Sequence, residues 1–381
     1  MQLTLLSWFV LEMTDSPWLV SLVGFFSMVP MFLLGMLGGV LADTVDRVRL
    51  LKATQAASLA SMLIMTVLLF AGEARFWHAY PVVLVVGVAW ALDMPARRSL
   101  MHDLLGRSGV INAVALDTVG MSGSMMIAPA MAGVLITLSG VTGGTVTVTL
   151  LYLVSLALLS RLGAPEARGP RVGGAGLLRD LALGLRYVAG HRVLRSMLVI
   201  TVLMNLLMFP YMQMVPVMAR DVLGVGPGLM GILQAGSGVG SLIGAVFIAS
   251  VLNIKYHGRL FLVGSGSSFA ALLLFSVSTR YWLSLPTLVA LGLGAAAFAT
   301  MQASITMIVA QEEMRGKALG VVSLAIGAGP FGVLLMGAVA NLTGISLALE
   351  LNAVVGLVCV GLVGLLMPAL RQRTPAFPPA V

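Results

Sequence analysis

Asp93 and Asp117 lie inside long apolar runs, in the stretches "AWALDMPARRSL" and "VINAVALDTVGM". A carboxylate among apolar groups is costly unless it is paired or protonated. The chemistry such a residue offers is therefore charge pairing or proton carriage. Counted from Val110, Asp117 stands about 10 Å into its run, which makes it the first candidate for a proton-coupling acid. Asp93 is the second; it precedes Arg97 by one helical turn and reads equally as half of a local ion pair. Glu12 and Glu350 fall near the ends of their runs. No Ser/His/Asp grouping, carboxylate pair or zinc-ligand spacing points to an enzyme. His78, His102, His191 and His257 are far apart, and Cys359 is the single cysteine, embedded in an apolar run. No disulfide framework, metal site or cofactor is expected. The string "GSGVGS" has the look of a dinucleotide loop, but it lies inside an apolar run with no strand before it.

A second group of charged residues sits between two apolar runs, in "GGVLADTVDRVRLL", residues 38 to 51. Two Asp, two Arg and two Gly in so apolar a chain allow two readings. One is a polar turn that ends one helix and starts the next. The other is a hinge or latch whose charges find partners elsewhere.

The elements that position these residues follow from composition. The 381 residues are 59% hydrophobic and only 9% charged, with a mean hydropathy of +1.05. Soluble domains carry about a quarter charged residues, so most of this chain must have lipid as its solvent. Eleven runs reach the roughly 20 apolar residues of a spanning helix: 18–42, 50–71, 80–101, 110–137, 145–161, 194–219, 228–252, 259–278, 281–302, 317–341 and 346–369. The net charge of +8 does not imply nucleic acid, because the basic residues lie in short loops. Nineteen of the 22 fall in one alternate set of loops, and only Arg75, Arg220 and Arg280 fall in the other. The positive-inside rule then places residues 43–52, 97–108, 162–193, 253–259, 312–317 and those beyond 370 in the cytoplasm.

At the start, "MQLTLLSWFVLEMTDSP" offers only about 16 Å of apolar helix against a core of about 30 Å. It lacks the basic region and cleavage site of a signal peptide, and reads as the outer half of a twelfth span. Residues 162–193 interrupt the pattern with a Gly/Pro/Arg linker and then "LLRDLALGLRYVAGHRVL", whose Leu177, Leu178, Leu181, Leu185 and Val188 recur at helical spacing. This predicts a basic amphipathic helix on the cytoplasmic surface. The expected organisation is a six-helix bundle over 1–162 with its first helix incomplete, a linker over 163–193, a second six-helix bundle over 194–370 and a cytoplasmic tail over 371–381. Such a duplication is common in secondary transporters.

Two spans carry further signals. In "MLVITVLMNLLMFPYMQMVPVMARD", Met204, Met208 and Met212 are four apart, with Asn205 and Gln213 beside them. Flexible, polarizable Met suits a cavity accepting varied apolar ligands, and equally suits packing or a lipid face; the amides favour a cavity. Gly236, Gly240 and Gly244 form a small-residue stripe that allows close helix approach.

These segments resemble the major facilitator superfamily. "GGVLADTVDRVRL" is similar to its loop between spans 2 and 3. "MPARRSLMHDLLGRSGVINAVAL", "LRDLALGLRYVAGHRVLRSMLVITVLMNLLMFP" and "AQEEMRGKALGVVSL" resemble its enterobactin-exporter and macrolide-efflux-like branch. The resemblance covers residues 5 to 370 and implies a twelve-helix carrier working by alternating access. Gly39, Asp43, Arg47 and Arg49 match the loop motif; Thr44 stands where Arg is common, and Val48 interrupts the basic run. The resemblance implies that Asp43 caps the start of span 11 near Gly316 to Gly320 and pairs with Arg97, a latch favouring the outward-open state. In span 5, Ala128-Pro129 and Ala132-Gly133 stand where the branch has Gly-Pro and Gly-Gly; Pro129 and Gly133 keep a bend and close helix contact plausible.

The fold expected is an all-α membrane protein with the major facilitator architecture of two pseudo-symmetric six-helix bundles. The function expected is export of small amphipathic molecules, drug-like or siderophore-like, by alternating access with proton antiport, from a monomer in a bacterial inner membrane with its C-terminus in the cytoplasm. The expected partners are the substrate, protons and the lipid bilayer. The alternatives are an importer or lipid translocase on the same fold, a membrane-embedded enzyme, or a degenerate non-transporting protein.

Overall fold

A computed structural model describes residues 1–44, 46–161, 177–251 and 255–372; its described side chains exclude 35–44, 177–178 and several positions between 102 and 115. The chain is helical throughout, and no strand occurs among the described residues. Among the described residues, ten helical segments are long and apolar enough to cross a membrane, and one of them, Leu116–Ser160, has 45 residues, about twice the length a single crossing needs.

The helices are α1 (Gln2–Thr14), α2 (Pro17–Thr44), α3 (Arg47–Phe70), α4 (Ala79–Ser160), α5 (Leu177–Gly190), α6 (Arg192–Leu203), α7 (Tyr211–Val217), α8 (Pro227–Ser250), α9 (His257–Ser276), α10 (Tyr281–Val309), α11 (Glu312–Ile326), α12 (Gly329–Thr343) and α13 (Ile345–Leu366). Two compact units form. The first holds Met1–Ala175 and Gly224–Ile232; the second holds Gly176–Leu223 and Leu233–Val381.

In the first unit, α1 ends at Asp15 in the left-handed region (φ 52°), its N–H bonded to Leu11 O, and Pro17 then starts α2. Asp46 starts α3: its Oδ1 accepts from Val48 N at 2.9 Å and Arg49 N at 3.0 Å, a cap that contributes about 1 kcal/mol. The sequence divides α4 into three runs, yet its backbone stays helical over 82 residues. Drawn straight, such a helix would be about 120 Å long. Its contacts show that it folds back twice. Arg97 and Asp117 meet at 3.1 Å, although 20 residues of straight helix would hold them about 30 Å apart. The second reversal lies at Gly140, whose φ of 66° only glycine adopts readily. Gln55 of α3 then reaches both arms, bonding Asp93 and Ser155.

In the second unit, the span Arg192–Val222 is not a uniform α-helix. Met204–Met208 and Met218–Val222 form π turns, with Phe209 N reaching back five residues to Met204 O at 3.0 Å. Pro210 comes next, lacking an N–H to donate and clashing with a regular preceding turn. Asn352 of α13 meets this irregularity by donating from Nδ2 to Leu207 O at 3.2 Å. Glycine sets the closest approaches. A Cβ on Gly240 would stand 3.0 Å from Val289 Cα, and one on Gly244 would stand 2.9 Å from Ala296 Cβ, which brings α8 and α10 nearly backbone to backbone. Within the first unit, a Cβ on Gly133 would lie 3.0 Å from Gly231 Cα.

Candidate functional site

The first unit gathers its polar side chains around α4. Asp93 Oδ1 accepts the Thr54 hydroxyl at 2.7 Å and Oδ2 accepts Gln55 Nε2 at 3.4 Å; both donors are neutral and come from α3. Gln55 Oε1 in turn accepts Ser155 Oγ at 3.4 Å. Tyr152, one helical turn before Ser155, lies close enough to Asp93 to act on it electrostatically and donates its hydroxyl to Gln2 Oε1 of α1 at 3.0 Å. Three segments distant in sequence, around Gln2, Thr54 and Tyr152, are thus linked to one carboxylate through Thr54 and Gln55. The sequence does not single out Thr54, Gln55, Tyr152, Ser155 or Gln2. Each is one polar residue in an apolar run, and only their convergence distinguishes them.

Arg97 comes one turn after Asp93, but its ion pair is with Asp117, from Nη1 to Oδ1 at 3.1 Å. The resemblance gives Arg97 a different partner, Asp43. The side chain of Asp43 and the surroundings of Gly39 lie outside the described residues, so the described partner of Arg97 is Asp117 alone. The two acids proposed for proton coupling therefore differ: Asp117 is held in an ion pair, and Asp93 is held by neutral groups. Two donors in the cluster, Arg97 Nε and Gln2 Nε2, are buried with no hydrogen-bond partner among the described residues. The neighbouring packing is firm: Val48, Leu51, Ala96 and Leu100 form a buried cluster that fixes α3 against this part of α4. Arg47 opens α3 beside the Asp46 cap. Gly316 lies in the first turns of α11, with open space where a Cβ would point.

An open apolar groove of about 420 Å³ runs between α3 and α4 beside Thr54 of the Asp93 cluster. Its walls are aliphatic, among them Leu50, Ala57, Val85, Val88 and Leu92. Thr54 is the sole polar residue in its lining, and the hydroxyl is committed to Asp93.

The methionine stripe of the second unit is broken. Met204 and Met208 are fully buried, whereas Met212 is 50% exposed. In an unbroken α-helix residues four apart share a face. The π turn at Met204–Met208 and the break at Pro210 rotate the next turn of helix, so the three do not form one accessible wall. Met204 and Met208 belong to the packed core. Asn205 and Gln213 are buried too, and Asn205 Nδ2 donates back to Thr201 O at 2.8 Å. The Thr201 hydroxyl accepts Gln302 Nε2 of α10 at 2.7 Å, a cross-helix bond between polar residues that hydropathy alone does not pick out. Pro129 of the first unit presents its carbonyl to Gly231, and Gly236 packs on Leu285. Among the described residues, no three His, Cys, Asp or Glu side chains are placed to hold a metal ion.

The profile of the family described as "transmembrane secretion effector" matches residues 1–375. The chain belongs to that family. It is a multi-pass membrane transporter of the major facilitator superfamily, and the family consists of transporters rather than enzymes. The transporter is 28% identical to the multidrug efflux pump Tap of Mycobacterium tuberculosis (strain ATCC 25618 / H37Rv), over 96% of this chain and 88% of that protein. It is 24% identical to the staphyloferrin A transporter of Staphylococcus aureus (strain NCTC 8325 / PS 47), over 89% and 85%. Among solved structures, a bacterial homolog of the human lysosomal transporter Spinster, inward-facing and unoccupied, superposes with a TM-score of 0.73 at 13% identity, covering 98% of this chain and 96% of that one. A nucleoside transporter gives 0.73 at 12%, covering 97% and 99%. These two likenesses establish the fold alone.

Proposed function

We propose that the transporter exports small amphipathic molecules by alternating access of two six-helix halves, 1–162 and 194–370, and that it exchanges them for protons. The basic loop ends face the cytoplasm of a bacterial cell and the C-terminus lies there too. The observation that carries the reading is the hydrogen bonding of Asp93. A carboxylate inside a span is rare and defaults to a functional role. This one is held by neutral donors, so it can take up or release a proton without breaking an ion pair. Asp117 supplies the fixed counter-charge for Arg97. When Asp93 is charged, Arg97 has a second carboxylate one turn away. When Asp93 is protonated, Arg97 stays with Asp117. Proton binding thereby removes a negative charge one turn from the Arg97–Asp117 pair, a local event that can bias a two-state carrier.

The substrate class is supported by the likeness to a multidrug efflux pump. The test uses purified transporter in vesicles with an imposed pH gradient, with uptake of a fluorescent lipophilic cation and lumenal pH followed together. Wild type should accumulate the dye against the proton gradient and dissipate that gradient. Asp93→Asn should bind the dye with unchanged affinity yet lose gradient-driven accumulation by about a hundredfold, the low end of the scale for a lost proton-transfer group. Retained, pH-dependent accumulation in Asp93→Asn defeats the assignment. Dye movement in the direction of the proton flux makes the protein an importer.

A further inference from the structure

We propose that the exposed side of α5 binds the headgroups of anionic phospholipids in the cytoplasmic leaflet, so that the lipid surface bears on the start of α11. This rests on the orientation proposed above. One face of α5 is docked. Asp180 Oδ1 pairs with Lys317 Nζ at 3.1 Å, and the Tyr187 hydroxyl accepts the Gln311 N–H at 3.1 Å. Gly184 lets the helices approach until a Cβ there would stand 2.7 Å from Lys317 O. Positions 180, 184 and 187 share one helical stripe, so this face is fully used. The other side carries Arg179 and Arg186, seven residues apart and nearly in line, both exposed. Leu183 and Leu185 flank them, 40% and 47% exposed. Arg192 and Arg195, exposed at the start of α6, extend the positive charge. Asp180 is the single acid of α5 and is committed to Lys317, and no ion pair engages these four arginines among the described residues.

The occupant follows from position and chemistry. α5 ends at Gly190, and a membrane span begins at Arg192, so the helix lies within two residues of the point where the chain enters the bilayer. Exposed leucines interleaved with arginines match a surface that is apolar beneath and anionic above, which a layer of acidic headgroups provides. The docked face makes the contact mechanical: whatever holds α5 also holds Lys317 and the first turns of α11.

The experiment places an environment-sensitive fluorophore on Leu185→Cys in a Cys359→Ser background, with the full chain in nanodiscs of phosphatidylcholine alone or mixed with phosphatidylglycerol. Phosphatidylglycerol should shift the emission to the blue, and salt near 1 M, where screening reaches about 3 Å, should reverse it. Arg179→Gln/Arg186→Gln should weaken the binding equilibrium roughly thirtyfold, so that the shift is lost at the phosphatidylglycerol fraction that gives it in wild type, from two charges lost at an anionic surface. Arg179→Lys/Arg186→Lys keeps the charge and should keep the response, which guards against a merely misfolded variant. Equal emission in both lipids overturns the proposal, as does full competition by inorganic phosphate or a soluble acidic peptide. Labelling of the same cysteine by an impermeant reagent outside intact cells refutes the orientation and the leaflet together. A failure of proton coupling in Asp93→Asn leaves the lipid contact standing.

Discussion

At the scale of single residues, two acids of the first unit stand in different surroundings. Asp117 pairs with the Arg97 guanidinium, and among the described residues Asp93 is hydrogen-bonded to an alcohol and an amide. The pair makes a prediction about coupling. Arg97→Gln leaves Asp117 without its partner at a site where it is only 13% exposed, and Asp117→Asn leaves Arg97, 33% exposed, without its own. Breaking a fully buried pair costs about 3–5 kcal/mol; partial exposure of Arg97 puts each single variant nearer 2–3 kcal/mol. The double variant removes both charges and should cost less than the sum of the singles by about 1–2 kcal/mol. Thermal unfolding of the four proteins in one detergent checks this. Simple additivity would mean that the two side chains do not act on each other.

At the scale of elements, close packing of glycine-bearing helices sets the geometry around the polar clusters. Gly240 lies against the backbone of Val289, so Gly240→Val should force α8 and α10 apart. The overpacking penalty is about 1–3 kcal/mol and should appear as a lower unfolding temperature. Gly361→Val, at a position with nothing within 4 Å of its Cβ, should be nearly silent. Equal losses in both would put the effect on helix propensity rather than contact. This level also shows what a sequence can and cannot reveal. Apolar runs of about 20 residues mark spans because lipid demands them, and the helical membrane fold was legible on that ground. The π turn at Met204–Met208 was not, since it arises from a proline after the turn and an asparagine 147 residues beyond Asn205, and spacing alone made Met204, Met208 and Met212 look like one stripe. Asp93 could be found as an acid in an apolar run. Its partners Thr54 and Gln55 could not, because only tertiary packing brings them to it.

At the scale of the whole molecule, each unit gathers its basic residues toward one end. In the first, Lys52 Nζ donates to Ser160 O at 3.4 Å, joining the start of α3 to the end of α4. In the second, Arg259 Nε donates to Arg371 O at 2.9 Å, and Lys317 meets Asp180 of α5, so the starts of α9 and α11 and the end of α13 carry charge together. The opposite turns hold far fewer cations: Arg220 is paired with its neighbour Asp221, and Arg280 precedes α10. A positive charge must cross the bilayer core if its loop is translocated, which is why retained loops keep their lysines and arginines. In a Cys359→Ser background, a cysteine replacing exposed Lys255 should stay unlabelled by an impermeant thiol reagent in intact cells and react once the membrane is opened. A cysteine replacing exposed Arg280 should label in intact cells at once. Reversal of the two would invert the transporter in the membrane, and the direction of export with it. Labelling of both from outside would mean that α9, His257–Ser276, does not cross the bilayer between them, despite having the length and apolar composition to do so.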